Sequence, residues 1–195
     1  MKDYQNISDN QLVEFSKKNP DDFGELIKRY QNQLFHYVKR ISYFSNEDIE
    51  DILQNVFIKI YKNLNNFDQD LKFSTWAYQI TRNTTIDNIR SKQARPQTVD
   101  LEQDDLERFF QSGESVERNI FKKDDWKKIK KIIYEMPFKY REILVLKFLE
   151  EKSYEEIMDI LKKPKGSVAT LISRGRKLLE KELEKNNLFL EKLRN

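Results

Sequence analysis

Residues 73–90 read FSTWAYQITRNTTIDNIR, a stretch in which aromatic side chains are interleaved with basic and amide ones. Phe73, Trp76 and Tyr78 offer ring faces, while Arg82, Asn83 and Arg90 offer donors. That combination suits unpaired nucleic-acid bases, because rings stack on bases while guanidinium groups follow the backbone. The competing reading makes Trp76 and Ile80 core residues and Arg82 a surface charge. A second group lies at residues 162–177, which hold six Lys or Arg and no Asp or Glu. Such a run attracts phosphates, and its plainer reading is a solvated basic face. A third group, Glu47, Asp48, Glu50 and Asp51, has the composition of a metal-dependent nuclease site. Helical spacing puts Asp48 and Asp51 on one face and turns Glu47 and Glu50 away, and no Lys or His partner is placed beside them. With no Cys and a single His, His36, the chain has no thiolate or histidine-cluster metal site. No metal, cofactor or catalytic residue is expected.

The elements that carry these residues read as helices throughout. Ser8 with Gln11 and Ser153 with Glu156 form capping boxes, which satisfy free N–H groups at helix starts. Asn19, Pro20 and Asp21 break the first helix. Apolar residues then recur at helical spacing from Leu26 to Ile41. Ser45 and Asn46 are placed to cap the next helix, whose first-turn acids suit its positive end. Its apolar positions Ile49, Ile52, Leu53, Val56, Phe57, Ile60, Tyr61 and Leu64 fall at steps of three and four. The opposite face carries Asp48, Asp51, Asn55 and Lys59, with Gln54 at its edge. Residues 65–72 form a polar loop with one aromatic, Phe67. Further on, Ile132, Ile133 and Met136 lead to Pro137, and residues 143–148 read as a more fully apolar helix. Tyr154, Ile157, Met158 and Leu161 make one face of a short helix, and Pro164 and Gly166 punctuate it. Val168, Leu171, Ile172, Gly175, Leu178 and Leu179 make one face of the helix that follows. Helix, tight turn and basic helix form a helix-turn-helix, whose second helix enters the DNA major groove.

Charge is distributed unevenly along the 195 residues, whose net charge is +3. Residues 96–117 hold seven acids against one base, Arg108. This composition predicts a flexible acidic linker, although Leu101, Leu106, Phe109 and Phe110 favour docking on a surface. The fold class is therefore all-α, with two helical domains at 1–95 and 122–195 joined by an acidic linker at 96–121. The polar N-terminus and the lack of a long apolar run predict a cytoplasmic protein with no membrane segment.

Three ordered motifs carry a resemblance to the bacterial RNA polymerase sigma factors of the sigma-70 family, extracytoplasmic-function type. They are DIEDILQNVFIKIY at 48–61, FSTWAYQITRNTTIDNIR at 73–90, and the helix-turn-helix at 153–179. The resemblance covers roughly residues 9–183 and implies a promoter-directing factor that makes and breaks no bond. Domain 2 then binds the β′ clamp helices of core RNA polymerase through Asp48, Asp51, Gln54, Asn55 and Lys59. It holds a base flipped from the −10 element with Asn66, Phe67, Asp68, Lys72 and Asn83, while Trp76, Arg82 and Arg90 support the open strand. Domain 4 grips the −35 duplex with Lys162, Lys163, Lys165, Ser167, Thr170, Ser173, Arg174, Arg176 and Lys177, and it meets the β flap. The linker runs through the polymerase channels. An anti-sigma factor or a recruiting partner is a further implied control.

One departure from the family pattern bears on specificity. The recognition helix has Ala169 and Leu171 at two positions that are usually basic in the family. Either −35 reading is relaxed and promoter choice rests on the −10 loop or a recruiting partner, or Lys165, Ser173 and Arg174 read a different −35 sequence. The alternative to the sigma reading is a polymerase-independent helix-turn-helix regulator, which leaves 48–90 without a role.

Overall fold

The computed structural model describes residue 4 and residues 6–93 and 131–185. The linker at 96–121, the helix start near Ile120 and Trp126, and the apolar tail after Asn186 lie outside the described residues. No strand occurs among those described, and none of their helices is long and apolar enough to cross a membrane.

The helices are α1 (Asp9–Lys18), α2 (Pro20–Ile41), α3 (Asn46–Lys62) and α4 (Phe73–Gln93), then α5 (Phe138–Leu144), α6 (Tyr154–Leu161) and α7 (Lys165–Lys185). A 3-10 turn at Leu64–Asn66 follows α3, a π turn at Val145–Leu149 follows α5, and residues 131–135 are also helical. By their contacts the described residues fall into two compact units. One holds the residues up to 93 together with Lys152–Pro164; the other holds residues 131–151 and those of α7.

The local signals place the boundaries. Ser8, Ser45 and Ser153 each accept from the backbone N–H three residues on, and Gln11, Asp48 and Glu156 reach back to complete three capping boxes. Asn19 ends α1 and caps α2, its side chain accepting from the Asp21 N–H, with Pro20 at the first helical position.

In the first unit α2 lies against α1 and α3, and α4 packs on α3 and α2. Leu12, Leu26, Leu34, Val38, Ile41, Ile49, Val56 and Ile60 are completely buried. Each such side chain contributes about 1.5–3 kcal/mol relative to exposure. Aromatic pairs bind the layers together, with ring centroids 5.0 Å apart for Tyr37–Tyr78 and 5.1 Å for Tyr30–Phe73. The segment before α1 is strapped to α2 by Arg29, whose guanidinium donates to Tyr4 O, Ile7 O and Asp9 Oδ1 at 2.7–2.9 Å. Two parts of this core depart from simple apolar spacing. Tyr61 is 41% exposed, leaning on Phe23 at the rim. On α4 the buried side chains include Thr81, Thr84 and Thr85, while Ile80, Ile86 and Ile89 are only half-buried. The short threonines fit because Thr81 and Thr85 satisfy their hydroxyls on the carbonyls four residues back, both at 2.8 Å.

In the second unit α5 packs on α7 through Ile143, Leu144, Val168 and Ile172. Gly175 lets the helices approach, since a Cβ there would sit 3.3 Å from Leu144 Cγ. The apolar run at 143–148 does not stay a regular α-helix. It widens into a π turn closed by Glu150 N–H on Val145 O at 2.9 Å. That extra residue per turn turns Phe148 outward, 46% exposed, beneath the Arg176 guanidinium 5.7 Å from its ring centre.

Candidate polymerase and nucleic-acid interfaces

The exposed face of α3 follows from its apolar register. Steps of three and four bury Ile49, Ile52, Val56 and Ile60, so Glu50, Asp51, Gln54, Asn55, Ile58 and Lys59 face outward. Beside Gln54 a groove of about 650 Å³ runs between α2 and α3, lined by Gln31, Asn32 and Phe35 on one side and Glu50, Leu53 and Ile58 on the other. Ile58 is 51% exposed near the middle of this polar face. Two expected partner contacts have internal roles. The Asp48 carboxylate accepts from the Ser45 backbone and hydroxyl as part of the cap. The Lys59 ammonium donates to Thr84 Oγ1 on α4 at 3.0 Å, tying α3 to that helix.

The loop between α3 and α4 is built on an aromatic floor. Phe67 is only 5% exposed and lies against Trp76 and Phe73, with ring centres 5.0 and 5.9 Å away. Phe67 therefore supports the loop from below, its ring packed against Phe73 and Trp76. Trp76 is half-buried on that floor, while Asn66, Asp68 and Lys72 stand exposed above it. Asp68 folds the loop tip, its carboxylate accepting from the Asp70 N–H at 3.0 Å and its carbonyl from the Leu71 N–H at 3.1 Å. On α4, Asn83 and Arg90 are exposed and Arg82 is half-buried. The structure thus brings Asn66, Asp68, Lys72 and Trp76 together about one loop.

Lys72 already has an anionic partner in the same unit. Its ammonium lies 3.2 Å from Glu156 Oε1 at the start of α6, which packs along α4. Burial raises the Glu156 carboxyl, but the Ser153 N–H and the Lys72 charge outweigh burial and hold it below the usual carboxylate range. A phosphate reaching Lys72 exchanges one anion for another.

At the helix-turn-helix, α6 ends on Lys162, whose φ of 49° is left-handed. Its N–H bonds Met158 O, and the N–H of Lys163 bonds the same carbonyl at 3.1 Å. Glycine takes this conformation without steric cost; lysine does not. On α7, Lys165, Gly166, Ser167, Ala169, Thr170, Ser173, Arg174 and Lys177 are exposed. Arg176 is half-buried over Phe148, and Leu171 is half-buried. The Thr170 hydroxyl donates to Gly166 O at 2.8 Å, so its proton is engaged within the helix. The first two turns of α7 therefore present mostly small side chains, and the basic groups stand at either end.

Residues 26–95 match the family described as Sigma-70 region 2, and residues 126–179 match Sigma-70, region 4. Over 178 residues the chain is 34% identical to the ECF RNA polymerase sigma factor SigW of Bacillus subtilis, covering 88% of this chain and 94% of that one. It is 30% identical to the ECF RNA polymerase sigma-E factor of Escherichia coli K12, covering 91% and 95%. The chain belongs to the ECF sigma factors. Among solved structures the fold is similar to that of CnrH, solved with the cytosolic domain of CnrY, with a TM-score of 0.68, 21% identity and coverage of 91% and 97%. It is also similar to the sigma factor RpoE of Bartonella quintana, solved with the anti-sigma factor NepR, with a TM-score of 0.63, 20% identity and coverage of 84% and 97%.

In this sigma factor the sequence did not single out the α2 side of the groove, or Ile58. A signal for Ile58 was present. It is the one isoleucine between Ile49 and Ile60 that falls outside the three-and-four register, and in the structure it lines the groove with Phe35 and Leu53. The partners of Lys59 and Lys72 had no local signal, since they lie 25 and 84 residues away.

Proposed function

We propose that this sigma factor works by dividing promoter recognition between the α3–α4 loop and α7 while the exposed face of α3 docks on core polymerase. The observation that carries this reading is the loop over Phe67. It sets exposed amide and carboxylate side chains beside a half-buried Trp76, next to an α4 that carries Asn83 and Arg90. A base drawn out of the −10 duplex costs a few kcal/mol of unstacking. Stacking at Trp76 and hydrogen bonds from Asn66 and Asn83 offset that cost. Asp51, Gln54, Asn55 and Ile58, with the groove to Phe35, receive the β′ clamp helices; Asp48 and Lys59 shape that face from within. The domain boundaries are 1–95 for this part, 96–121 for the linker and 122–195 for the −35 part, which also meets the β flap.

Lys162, Lys163, Lys165, Arg176 and Lys177 grip −35 phosphates, which positions the protein without specifying sequence, and Arg174 is left to read a base. Relaxed −35 reading fits the small side chains Gly166, Ala169 and Thr170 at the front of α7. The factor acts in the cytoplasm, catalyses no reaction itself, and is held in check or recruited by a protein partner such as an anti-sigma factor.

In vitro transcription with core polymerase on promoters randomised at −35 and −10 tests this. The expected outcome is a sharp −10 motif and a weak −35 one, with no promoter opening when core is omitted. Binding and promoter choice by the chain alone would instead mark a polymerase-independent regulator, and a sharp −35 motif would remove the relaxed-reading proposal.

A further inference from the structure

The −10 loop is anchored at a point that lies outside the residues matched to Sigma-70 region 2, which begin at residue 26. Asn10 Nδ2 on α1 donates to Gln69 O at 3.0 Å, and the Gln69 side-chain amide donates to the Glu14 carboxylate one turn further along the same helix. The two contacts span 59 and 55 residues of sequence. They fix both the backbone and the side chain of the residue that follows Asp68. Glu14 is itself held by Lys17 Nζ at 2.6 Å. The loop is thus pinned from below by Phe67 on Trp76, within by the Asp68 turn, and from the side by α1.

We propose that Asn10 and Glu14 are positioning residues that set −10 base preference: by fixing Gln69 they hold Asn66 and Asp68 where the flipped base is read. The inference rests on the assignment of this loop to the −10 base. Neither residue reaches the base, so each acts through Gln69. The bond to Glu14 engages one N–H of the Gln69 side-chain amide and so fixes the direction of that side chain. Held in place in the free protein, the loop loses little further freedom when the base arrives, and a mispositioned base meets the rim with its hydrogen bonds unmade.

The test uses holoenzyme assembled from the full chain and core polymerase, with single-stranded non-template oligonucleotides carrying each of the four bases at each −10 position. Asn10→Asp removes the donor to Gln69 O with almost no change in size. It also places an acid in the first turn of α1, where helix electrostatics favour it. Glu14→Leu removes the acceptor for Gln69, and Glu14→Gln keeps one. The expected result is that Asn10→Asp and Glu14→Leu each reduce discrimination between preferred and other bases by roughly 3- to 10-fold, the span of a single hydrogen bond. Core affinity and the urea midpoint stay at wild-type values, and Glu14→Gln restores discrimination. A general loss of affinity for all sequences together with a lowered midpoint would reduce α1 to a structural prop and overturn the proposal. Unchanged discrimination in both variants would overturn it alone. Wild-type protein that shows no base preference at any −10 position would overturn the loop assignment itself, and the brace with it.

Discussion

Replacing Phe67 with alanine separates a floor from a reader. The ring is 5% exposed and packed against Phe73 and Trp76. Taking ~150 Å² for a buried phenylalanine ring at ~25 cal/mol/Å² gives ~4 kcal/mol. Compactness of the unfolded chain removes about a quarter of that. Phe67→Ala is therefore expected to destabilise the first unit by about 3 kcal/mol, at the low end of the range for such truncations. Phe67→Leu keeps most of the volume and costs about 1 kcal/mol. The assay is equilibrium urea unfolding followed by the fluorescence of Trp76, which touches Phe67 directly. The chain has two tryptophans, so the measurement is made in a Trp126→Phe background. Below the urea transition, binding to a single-stranded −10 oligonucleotide is expected to fall for Phe67→Ala and to stay near wild type for Phe67→Leu. A ΔΔG under about 0.5 kcal/mol for Phe67→Ala, the range typical of surface substitutions, combined with lost −10 binding, would show that the ring faces the base and would refute the floor.

Three further outcomes follow from the geometry. Lys162→Gly relieves a left-handed lysine and is expected to stabilise the turn by about 1 kcal/mol, read as a higher urea midpoint, while removing one phosphate contact. Thr84→Val removes the acceptor for Lys59 and frees the α3 face that it shapes; it should weaken core affinity roughly 3-fold, about the loss of one hydrogen bond, as read by titration of core polymerase. Glu14 and Glu156 are both held below the usual 4.5, Glu14 chiefly by the Lys17 ammonium and Glu156 by Ser153 N–H and Lys72 despite burial. A carboxyl lowered by folding contributes stability above its unfolded value and loses it as pH falls through the folded one. Stability should therefore drop as pH goes below about 4.5, and Glu156→Gln should flatten that drop.

Helix boundaries were legible because they are written in adjacent residues: Ser8 with Gln11, Asn19 with Pro20, Ser45 with Asn46, Ser153 with Glu156. The register of α3 was legible for the same reason, since three-and-four spacing needs no knowledge of the partner helix. Errors arose where a side chain's environment comes from distant chain. Phe67 looked like a lone aromatic in a polar loop, yet its neighbours Phe73 and Trp76 close over it once α4 folds back. Tyr61 keeps the α3 register but falls at the helix rim, where it leans on Phe23. Ile80, core in the competing reading of α4, is half-buried, while threonines are buried beside it because back-bonding hides their polarity. Phe148 turns outward because a π turn shifts register by one residue, and nothing in the composition of that turn announces the shift.

The exposed surface of α7 poses the remaining question, and two single substitutions answer it. A recognition helix reads bases mainly with its N-terminal residues, and here Gly166, Ala169 and Thr170 occupy that part, with the Thr170 proton already committed to Gly166 O. Arg174 is the one exposed guanidinium on α7, and its planar fork matches the two acceptors of guanine in the major groove. Lys163 sits in the turn before α7 and has only charge to offer. Neutralising a phosphate contact lowers the slope of log K against log salt by about 0.9 and weakens all duplexes alike. Losing a bidentate base contact costs roughly 1–3 kcal/mol at one position and spares the others. Lys163→Ala is therefore expected to lower affinity uniformly across a −35 panel with a shallower salt slope. Arg174→Ala is expected to erase preference at one −35 position while leaving unrelated sequences close to wild type. If Arg174→Ala instead matches Lys163→Ala in both readouts, no exposed α7 guanidinium reads sequence, and −35 selectivity must enter through DNA shape or through a partner.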